Sequence, residues 1–247
     1  MRAVSWLRKV PHQPRLPEGS NQSDAEPQEN RARSFYSQWI GPGKLAFDVG
    51  ANVGDRSKVF LELGARVIAI EPQPDCVQAL RRLRDDRLVV EQVALGASPG
   101  VSEMRISNAN TISSMADEWI ERVQRSGRFS QYEWPETIHV EVTTLDALIN
   151  RHGRPDFCKI DVEGYEREVV DGLSQRIPLL SFAVECSDAA FSVLDKLEQL
   201  GFDSFNFSLE ETFTLVWDEW RDVHALRSHL ESLPSTGLAW GDIYAAT

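Results

Sequence analysis

The sequence predicts an α/β fold in which helices cover both faces of a doubly wound, mostly parallel sheet. Two stretches carry this prediction. Residues 45–55 form a short apolar segment that ends in an acid and leads through a glycine-containing turn into a helical pattern, and residues 66–72 form a second apolar segment that ends in Glu71. A strand, a glycine turn, a helix and a second strand in this order are typical of a nucleotide-binding βαβ unit.

The N-terminal part predicts a leader and a first helix. Residues 1–30 contain four prolines among polar residues and few apolar ones, so they cannot bury enough surface to offset the entropy of ordering, and we expect them to be flexible. Phe35, Tyr36, Trp39 and Ile40 recur at helical spacing and predict a helix over residues 31–40. Its aromatic residues are explained either by packing or by covering a cofactor.

The turn after the first strand predicts a nucleoside site. Gly50 allows the backbone to turn and to approach a ligand without a Cβ, and Gly54 allows the next helix to pack closely against the strand. Asp48 and Asn52 are expected at the mouth of this turn. Asn52 stands where a dinucleotide-binding loop has its second glycine, which favours a ligand without a pyrophosphate.

The next two strands extend this site. Glu71 follows Gly54 by seventeen residues and precedes Pro72, a position from which a carboxylate accepts hydrogen bonds from a ribose diol. Residues 88–95 predict the third strand, which Gly96 ends. Because the carboxyl ends of such strands line the ligand crevice, we expect Ala94 and Leu95 in the wall beside the adenine.

The rest of the chain completes one domain. Its length of 247 residues fits a single α/β domain over residues 31–247 with additions. Two insertions are predicted, at about residues 101–143 and 209–236, and a helical section containing Trp217, Trp220, Leu226 and Leu230 is expected in the second. Residues 202–207 and 241–246 predict the last two strands, of which the final one inserts antiparallel between its neighbours.

A charged strand end predicts the catalytic centre. Lys159, Asp161 and Glu163 alternate along residues 156–166 and therefore share one side of the strand and its exit. Three charges crowded at one strand end are unfavourable unless they pair or bind a ligand. Glu185 ends the following apolar segment in the same way.

Composition excludes several classes of function. The chain has 26 Lys and Arg against 38 Asp and Glu, a formal net charge of −12, which disfavours nucleic-acid substrates because such binding depends on neutralising phosphates. Its three cysteines are far apart, without a zinc-binding pattern. No signal h-region and no segment of transmembrane length is present, so we expect a cytoplasmic protein that uses no membrane.

The order of these motifs resembles the FkbM-type methyltransferase family. The residues that carry the resemblance read FDVGANVGD, AIEPQP, VALG, TTLDAL, KIDVEGYE and FAVE, from about Lys44 to Glu185. The resemblance implies a class I methyltransferase fold with seven strands and O-methyl transfer from S-adenosylmethionine (SAM) to hydroxyls of sugars and other small metabolites. Tyr165 departs from the family, which often has a small residue there.

The resemblance also implies roles for individual residues. Asp48, Gly50, Asn52 and Gly54 would contact SAM, with Glu71 on the ribose. Asp161 and Glu163 would lie beside the methyl group, with Asp161 as first candidate for the base, then Glu163 and Glu185, while Lys159 would keep a carboxylate ionised or orient the hydroxyl. No metal site is predicted, although oxygen ligands of Asp161, Glu163 and Glu185 would suit Mg²⁺, because carboxylates also gather at strand ends without a metal. A nicotinamide-dependent oxidoreductase and a non-catalytic nucleoside-binding scaffold remain alternatives.

Overall fold

Ten strands make up two sheets in the part of the chain that the structure describes. The computed structural model covers residues 27–127, 129–185, 188–233 and 240–247, with the backbone alone at residues 185, 188 and 189. The strands are β1 (Leu45–Val49), β2 (Arg66–Ile70), β3 (Leu88–Glu91), β4 (Ala94–Leu95), β5 (Gly100–Ile106), β6 (Glu136–Thr143), β7 (Phe157–Ile160), β8 (Leu179–Glu185), β9 (Ser204–Leu209) and β10 (Trp240–Ala246).

The main sheet has seven strands in the order β3-β2-β1-β7-β8-β10-β9. Neighbouring strands from β3 to β8 are parallel, whereas β10 runs antiparallel between β8 and β9. This order confirms the predicted doubly wound sheet and its antiparallel last strand. The carboxyl ends of β1, β2, β7 and β8 therefore meet at one edge, where ligands bind in folds of this kind.

Helices pack on both faces of this sheet. They are α1 (Gln28–Tyr36), α2 (Asp55–Glu62), α3 (Pro74–Arg81), α4 (Asp117–Ser126), α5 (Leu145–His152), α6 (Glu166–Asp171), α7 (Asp188–Gln199) and α8 (Val223–Ser232). One core joins inward residues of β1, β7 and β8 with α5, α6, α7 and α8, and a second joins the opposite face with α1 and α2. The second core is rich in edge-to-face aromatic pairs, such as Tyr36 with Phe60 at 5.1 Å between ring centroids.

The first helix begins earlier than predicted. Helix α1 starts at Gln28, so the last three residues of the predicted leader are helical, and it ends at Tyr36 rather than at Ile40. Residues 1–26 of the leader lie outside the described residues. The aromatic residues of α1 pack in the second core, and no residue of α1 lines either of the cavities described below. Packing, not covering of a cofactor, accounts for them.

The predicted third strand is in fact two short strands. Leu88–Glu91 joins the main sheet, but Ala94–Leu95 pairs with Val142 and Thr143 in a separate three-stranded sheet of order β4-β6-β5. The prediction of one strand over residues 88–95 was wrong because β6 offers the chain a second set of backbone partners. This small sheet lies beside the carboxyl edge of the main sheet, and β5, α4 and β6 fall within the predicted first insertion.

The segment between β9 and α8 is irregular over Trp217 and Trp220, where a helix was predicted. The side-chain amide of Asn206 donates to the carbonyl oxygen of Trp217 at 2.9 Å and accepts from its backbone N–H at 3.3 Å. These bonds hold the backbone of Trp217 against β9. Helix α8 begins only after Asp222, whose side chain accepts from the N–H of Ala225.

No helix in the described part of the chain has the length and apolarity needed to cross a bilayer.

Candidate active site

Two adjoining cavities open at the carboxyl edge of the main sheet. The first encloses about 1050 Å³ of empty space, counted to its open mouth, and the second about 930 Å³. The first is lined by the ends of β1 and β2, by β4 and by the first insertion, and the second by β8, α4, α6 and α7. Both are lined by Arg56, Lys159, Asp161, Glu163 and Glu211, so a charged cluster marks their junction.

The glycine turn is shaped by its neighbours on the sheet. Gly50, Asn52 and Gly54 all have positive φ, at 77°, 49° and 91°. A Cβ at Gly50 would overlap the carbonyl oxygen of Asp161, so glycine is required because the β1 turn passes directly over the end of β7. Gly50 therefore allows the turn to pass close to the backbone of Asp161. Gly54 allows the turn to pack against the side chain of Leu80 on α3.

Glu71 holds this turn in place from the end of β2. Its carboxylate accepts hydrogen bonds from the backbone N–H of Asn52 and of Gln73, both at 2.8 Å. The residue is only 2% exposed, and burial raises the pKa of its carboxyl above the usual value although the two N–H groups oppose the shift. Each carboxylate oxygen keeps a lone pair that a diol can use.

Asp48 lies at the base of the first cavity. It is buried, and its carboxylate accepts a hydrogen bond from the Ser57 hydroxyl on α2 at 2.6 Å. Burial raises the pKa of Asp48, against the lowering effects of this bond and of the nearby Lys159 ammonium. The hydrogen bond fixes the carboxylate at the end of β1.

The structure brings seven of the eight predicted cofactor residues to the first cavity. The seven are Asp48, Gly50, Asn52, Glu71, Pro72, Ala94 and Leu95. The eighth, Gly54, does not line the cavity. Sequence reasoning missed the short 3-10 turn Asn110–Ile112. The carbonyl oxygen of Asn110 accepts from the side-chain amides of Asn52 and Gln73, each at 3.1 Å, which closes the first insertion over the glycine turn.

Lys159 and Asp161 form the centre of the junction. The Lys159 ammonium is buried and donates to Asp161 at 2.7 Å, with Asp242 of β10 at 4.0 Å. Burial alone would lower the pKa of Lys159, but the two carboxylates outweigh it and raise that pKa. Burial acts to raise the pKa of Asp161, and the Lys159 charge and hydrogen bond reverse this and lower it. The Asp161 side chain remains 43% exposed, so an ionised carboxylate is accessible from both cavities.

Arg56 and Glu211 complete the junction and were missed by sequence reasoning. Arg56, in the first turn of α2, donates to the Glu211 carboxylate at 2.5 Å and lies over the ring of Phe213 at 5.0 Å from its centroid. Glu211 comes from the predicted second insertion and also accepts from Gln28 of α1. Only the folded structure brings these distant segments together.

The remaining predicted residues lie nearby. Tyr165 lines the first cavity. Glu185 ends β8, and its side chain lies outside the described residues. Within the described ranges no group of three or more His, Cys, Asp or Glu side chains is arranged to hold a metal ion.

Comparison with known proteins identifies the family. The family model of the methyltransferase FkbM domain matches residues 48–233, which is three quarters of the chain. The chain belongs to this family. The FkbM match runs from the end of β1 through α8. It contains every residue that lines the first cavity and all those that line the second except Trp240 and Asp242. A search of curated proteins found no match.

Solved structures of low identity resemble the fold. A precorrin-6y C5,15-methyltransferase from Geobacter metallireducens is 12% identical, with 92% of each chain covered and a TM-score of 0.46. A precorrin 8W decarboxylase from Methanobacterium thermoautotrophicum is 14% identical, with 92% of this chain and 95% of that chain covered and a TM-score of 0.47. A SAM-dependent O-methyltransferase from Thermotoga maritima is 14% identical, with 87% and 64% covered and a TM-score of 0.40.

The first cavity fits the cofactor that membership of the FkbM family implies. SAM has an adenine, a ribose diol and a cationic sulfonium. Apolar groups of Val93 and Leu95 line one part of the cavity, and acidic groups of Asp48, Glu71 and Asp161 line the rest. Apolar walls suit a base, a fixed carboxylate suits a diol, and acids favour a cation. The chain is a methyltransferase of this SAM-dependent class.

Proposed function

We propose that the protein is an O-methyltransferase that transfers the methyl group of SAM to a hydroxyl of a small metabolite or sugar. The observation that carries this proposal is the junction of the two cavities, where the ionised Asp161 is held by buried Lys159. The first cavity would hold SAM and the second the acceptor. Glu71 would bind the ribose, while Asp48, Gly50 and Asn52 shape the turn around it.

The chemistry assigns each charged group a task. SAM supplies an electrophilic methyl group on a sulfonium, so the protein has to align the acceptor oxygen and take up its proton. Asp161 is the first candidate to accept that proton, because its carboxylate is exposed to both cavities and is held there by Lys159. Glu163 follows it at the same junction. Lys159 keeps Asp161 ionised and limits its rotation.

A small neutral or weakly charged acceptor suits this site better than a nucleic acid. The walls of the second cavity combine aromatic side chains, among them Trp119 and Phe182, with negatively charged acids and positively charged arginines. The formal charge of the chain is −12, which repels a phosphate backbone. We therefore propose a hydroxyl of a small molecule or a glycan as the acceptor.

Turnover measurements test this proposal. The purified protein is incubated with SAM and pools of hydroxylated sugars and metabolites, and S-adenosylhomocysteine and methylated product are measured by mass spectrometry. We expect product with at least one pool, and a fall of kcat by about 100-fold or more in Asp161→Asn. Asp156→Asn, at the opposite end of β7 and paired with Lys44, is the matched control.

Two results would contradict the proposal. Equal turnover by wild type and Asp161→Asn would exclude Asp161 as the proton acceptor. SAM binding without product from any pool would favour the non-catalytic nucleoside-binding scaffold.

A further inference from the structure

Glu166 is a buried acid at the second cavity that has no part in the proposed proton transfer. It is the first residue of α6, is 9% exposed, and lines the second cavity. Its Oε1 accepts hydrogen bonds from the backbone N–H of Val162 at 3.1 Å and of Gly164 at 3.3 Å. These two N–H groups belong to the residues that directly follow Asp161 and Glu163.

The loop that Glu166 contacts is held in an unfavourable conformation. Glu163 and Gly164 both have positive φ, at 52° and 92°, and such a conformation in a non-glycine residue persists only when the surroundings impose it. Two further bonds hold the loop from outside. The N–H of Asp161 donates to the carbonyl oxygen of Val49 at 2.9 Å, and the Ser114 hydroxyl donates to that of Glu163 at 2.7 Å.

We propose that Glu166 is a positioning residue, which fixes residues 161–164 so that the carboxylates of Asp161 and Glu163 face the junction of the two cavities. This inference rests on the proposed function. Of the three anchors, Glu166 alone holds the loop between Asp161 and Gly164 on the side of the second cavity. Without it, the backbone N–H groups on both sides of Glu163 lose their acceptor and the left-handed turn is free to relax.

Burial makes an ionised carboxylate costly at position 166, which indicates that an acid there has a specific role. The second cavity carries the cations Arg56, Arg122, Lys159 and Arg167 and the acids Asp161, Glu163, Glu211 and Asp242. Burial raises the pKa of Glu166 to about 7, with a further contribution from Asp161, while its backbone bonds oppose the shift. An acid that serves only to fill space would be replaced by an apolar residue without this penalty.

Hydrogen–deuterium exchange of the full-length protein without ligand tests the positioning role. In Glu166→Ala we expect the amides of residues 162–164 to exchange at least about tenfold faster than in wild type. Glu166→Gln keeps an oxygen at the same place and should restore most of the protection. Glu168→Ala, two residues along the same helix and without a bond to the loop, should leave exchange there unchanged.

Calorimetric titration with SAM supplies the second readout, because Asp161, Val162 and Glu163 also line the first cavity. We expect the affinity for SAM to fall at least about fivefold in Glu166→Ala and less than about twofold in Glu166→Gln. Unchanged exchange and affinity in Glu166→Ala would overturn the inference, as would a failure of Glu166→Gln to restore either. A wild-type protein that binds no SAM would contradict the proposed function, while the exchange data would still decide the role of Glu166.

Discussion

The ionisation of Glu166 should make the stability of this protein depend on pH in a way that one substitution removes. The pKa of this carboxyl is raised from 4.5 to about 7 by burial. The folded state therefore holds the proton more tightly than the unfolded chain does. The contribution of Glu166 to stability is most favourable below about pH 4.5 and is lost as the pH rises to about 7.

The magnitude follows from that interval. A carboxyl whose pKa moves from 4.5 to about 7 on folding lowers the free energy of unfolding by about 3 kcal/mol between the two limits. Glu166→Gln removes the titration and keeps the shape. If the buried amide has a pH-independent cost, it shifts the stability curve of Glu166→Gln equally at every pH. The way the difference in unfolding free energy between the two proteins changes with pH therefore reports the ionisation of the Glu166 carboxyl alone.

Urea denaturation of both proteins between pH 4.5 and 8 measures this quantity. We expect the difference in unfolding free energy to change by about 3 kcal/mol in favour of Glu166→Gln as the pH rises. Glu141→Gln, at an exposed position on β6, controls for the change in net charge. Parallel curves for wild type and Glu166→Gln would refute the reasoning, because they would mean that Glu166 ionises equally easily in the folded and unfolded chain.

Three further predictions concern the cofactor turn and the junction. Glu71→Gln should weaken SAM binding between about 10- and 150-fold in calorimetric titration, since it replaces a charged acceptor by a neutral one; an unchanged affinity would contradict its assignment to the ribose. Gly50→Ala should lower the free energy of unfolding by at least about 3 kcal/mol in urea titration. Gly43 has a similar positive φ of 79° but open space around it, so Gly43→Ala should lower that free energy by only about 1 kcal/mol. Equal losses in the two variants would show that the close approach of β7 is not the constraint at Gly50. Glu211→Leu removes the partner of the largely buried Arg56 and should lower the free energy of unfolding by about 2 to 3 kcal/mol. Glu62→Leu removes one partner of an exposed ion pair and should lower it by less than about 1 kcal/mol. A loss at Glu211 no larger than at Glu62 would argue against a stabilising ion pair between Arg56 and Glu211.

The cofactor cavity was largely predictable from sequence. Asp48, Glu71 and Asp161 each end or follow an apolar strand segment, and parallel strands necessarily bring their carboxyl ends to one edge of a sheet. Local pattern thus carried enough information to place these side chains together. The last two strands were also predictable, because residues 202–207 and 241–246 are largely apolar segments of strand length.

The junction was less predictable because its members are distant in sequence. Glu211 lies in an irregular segment whose path depends on the side chain of Asn206, and no local pattern marks its pairing with Arg56. Asp242 lies inside a strand and reaches Lys159 only through the insertion of β10 beside β8. Glu166 resembles an ordinary acid in the first turn of a helix, and only its bonds to the preceding loop distinguish it.

A crystal structure of the protein with S-adenosylhomocysteine tests the central claim most directly. The account predicts the adenosine in the first cavity, with the ribose hydroxyls on Glu71, the adenine beside Leu95 and the sulfur facing Asp161 at the junction of the cavities. A nucleoside bound in the second cavity, or a sulfur directed away from Lys159 and Asp161, would contradict it.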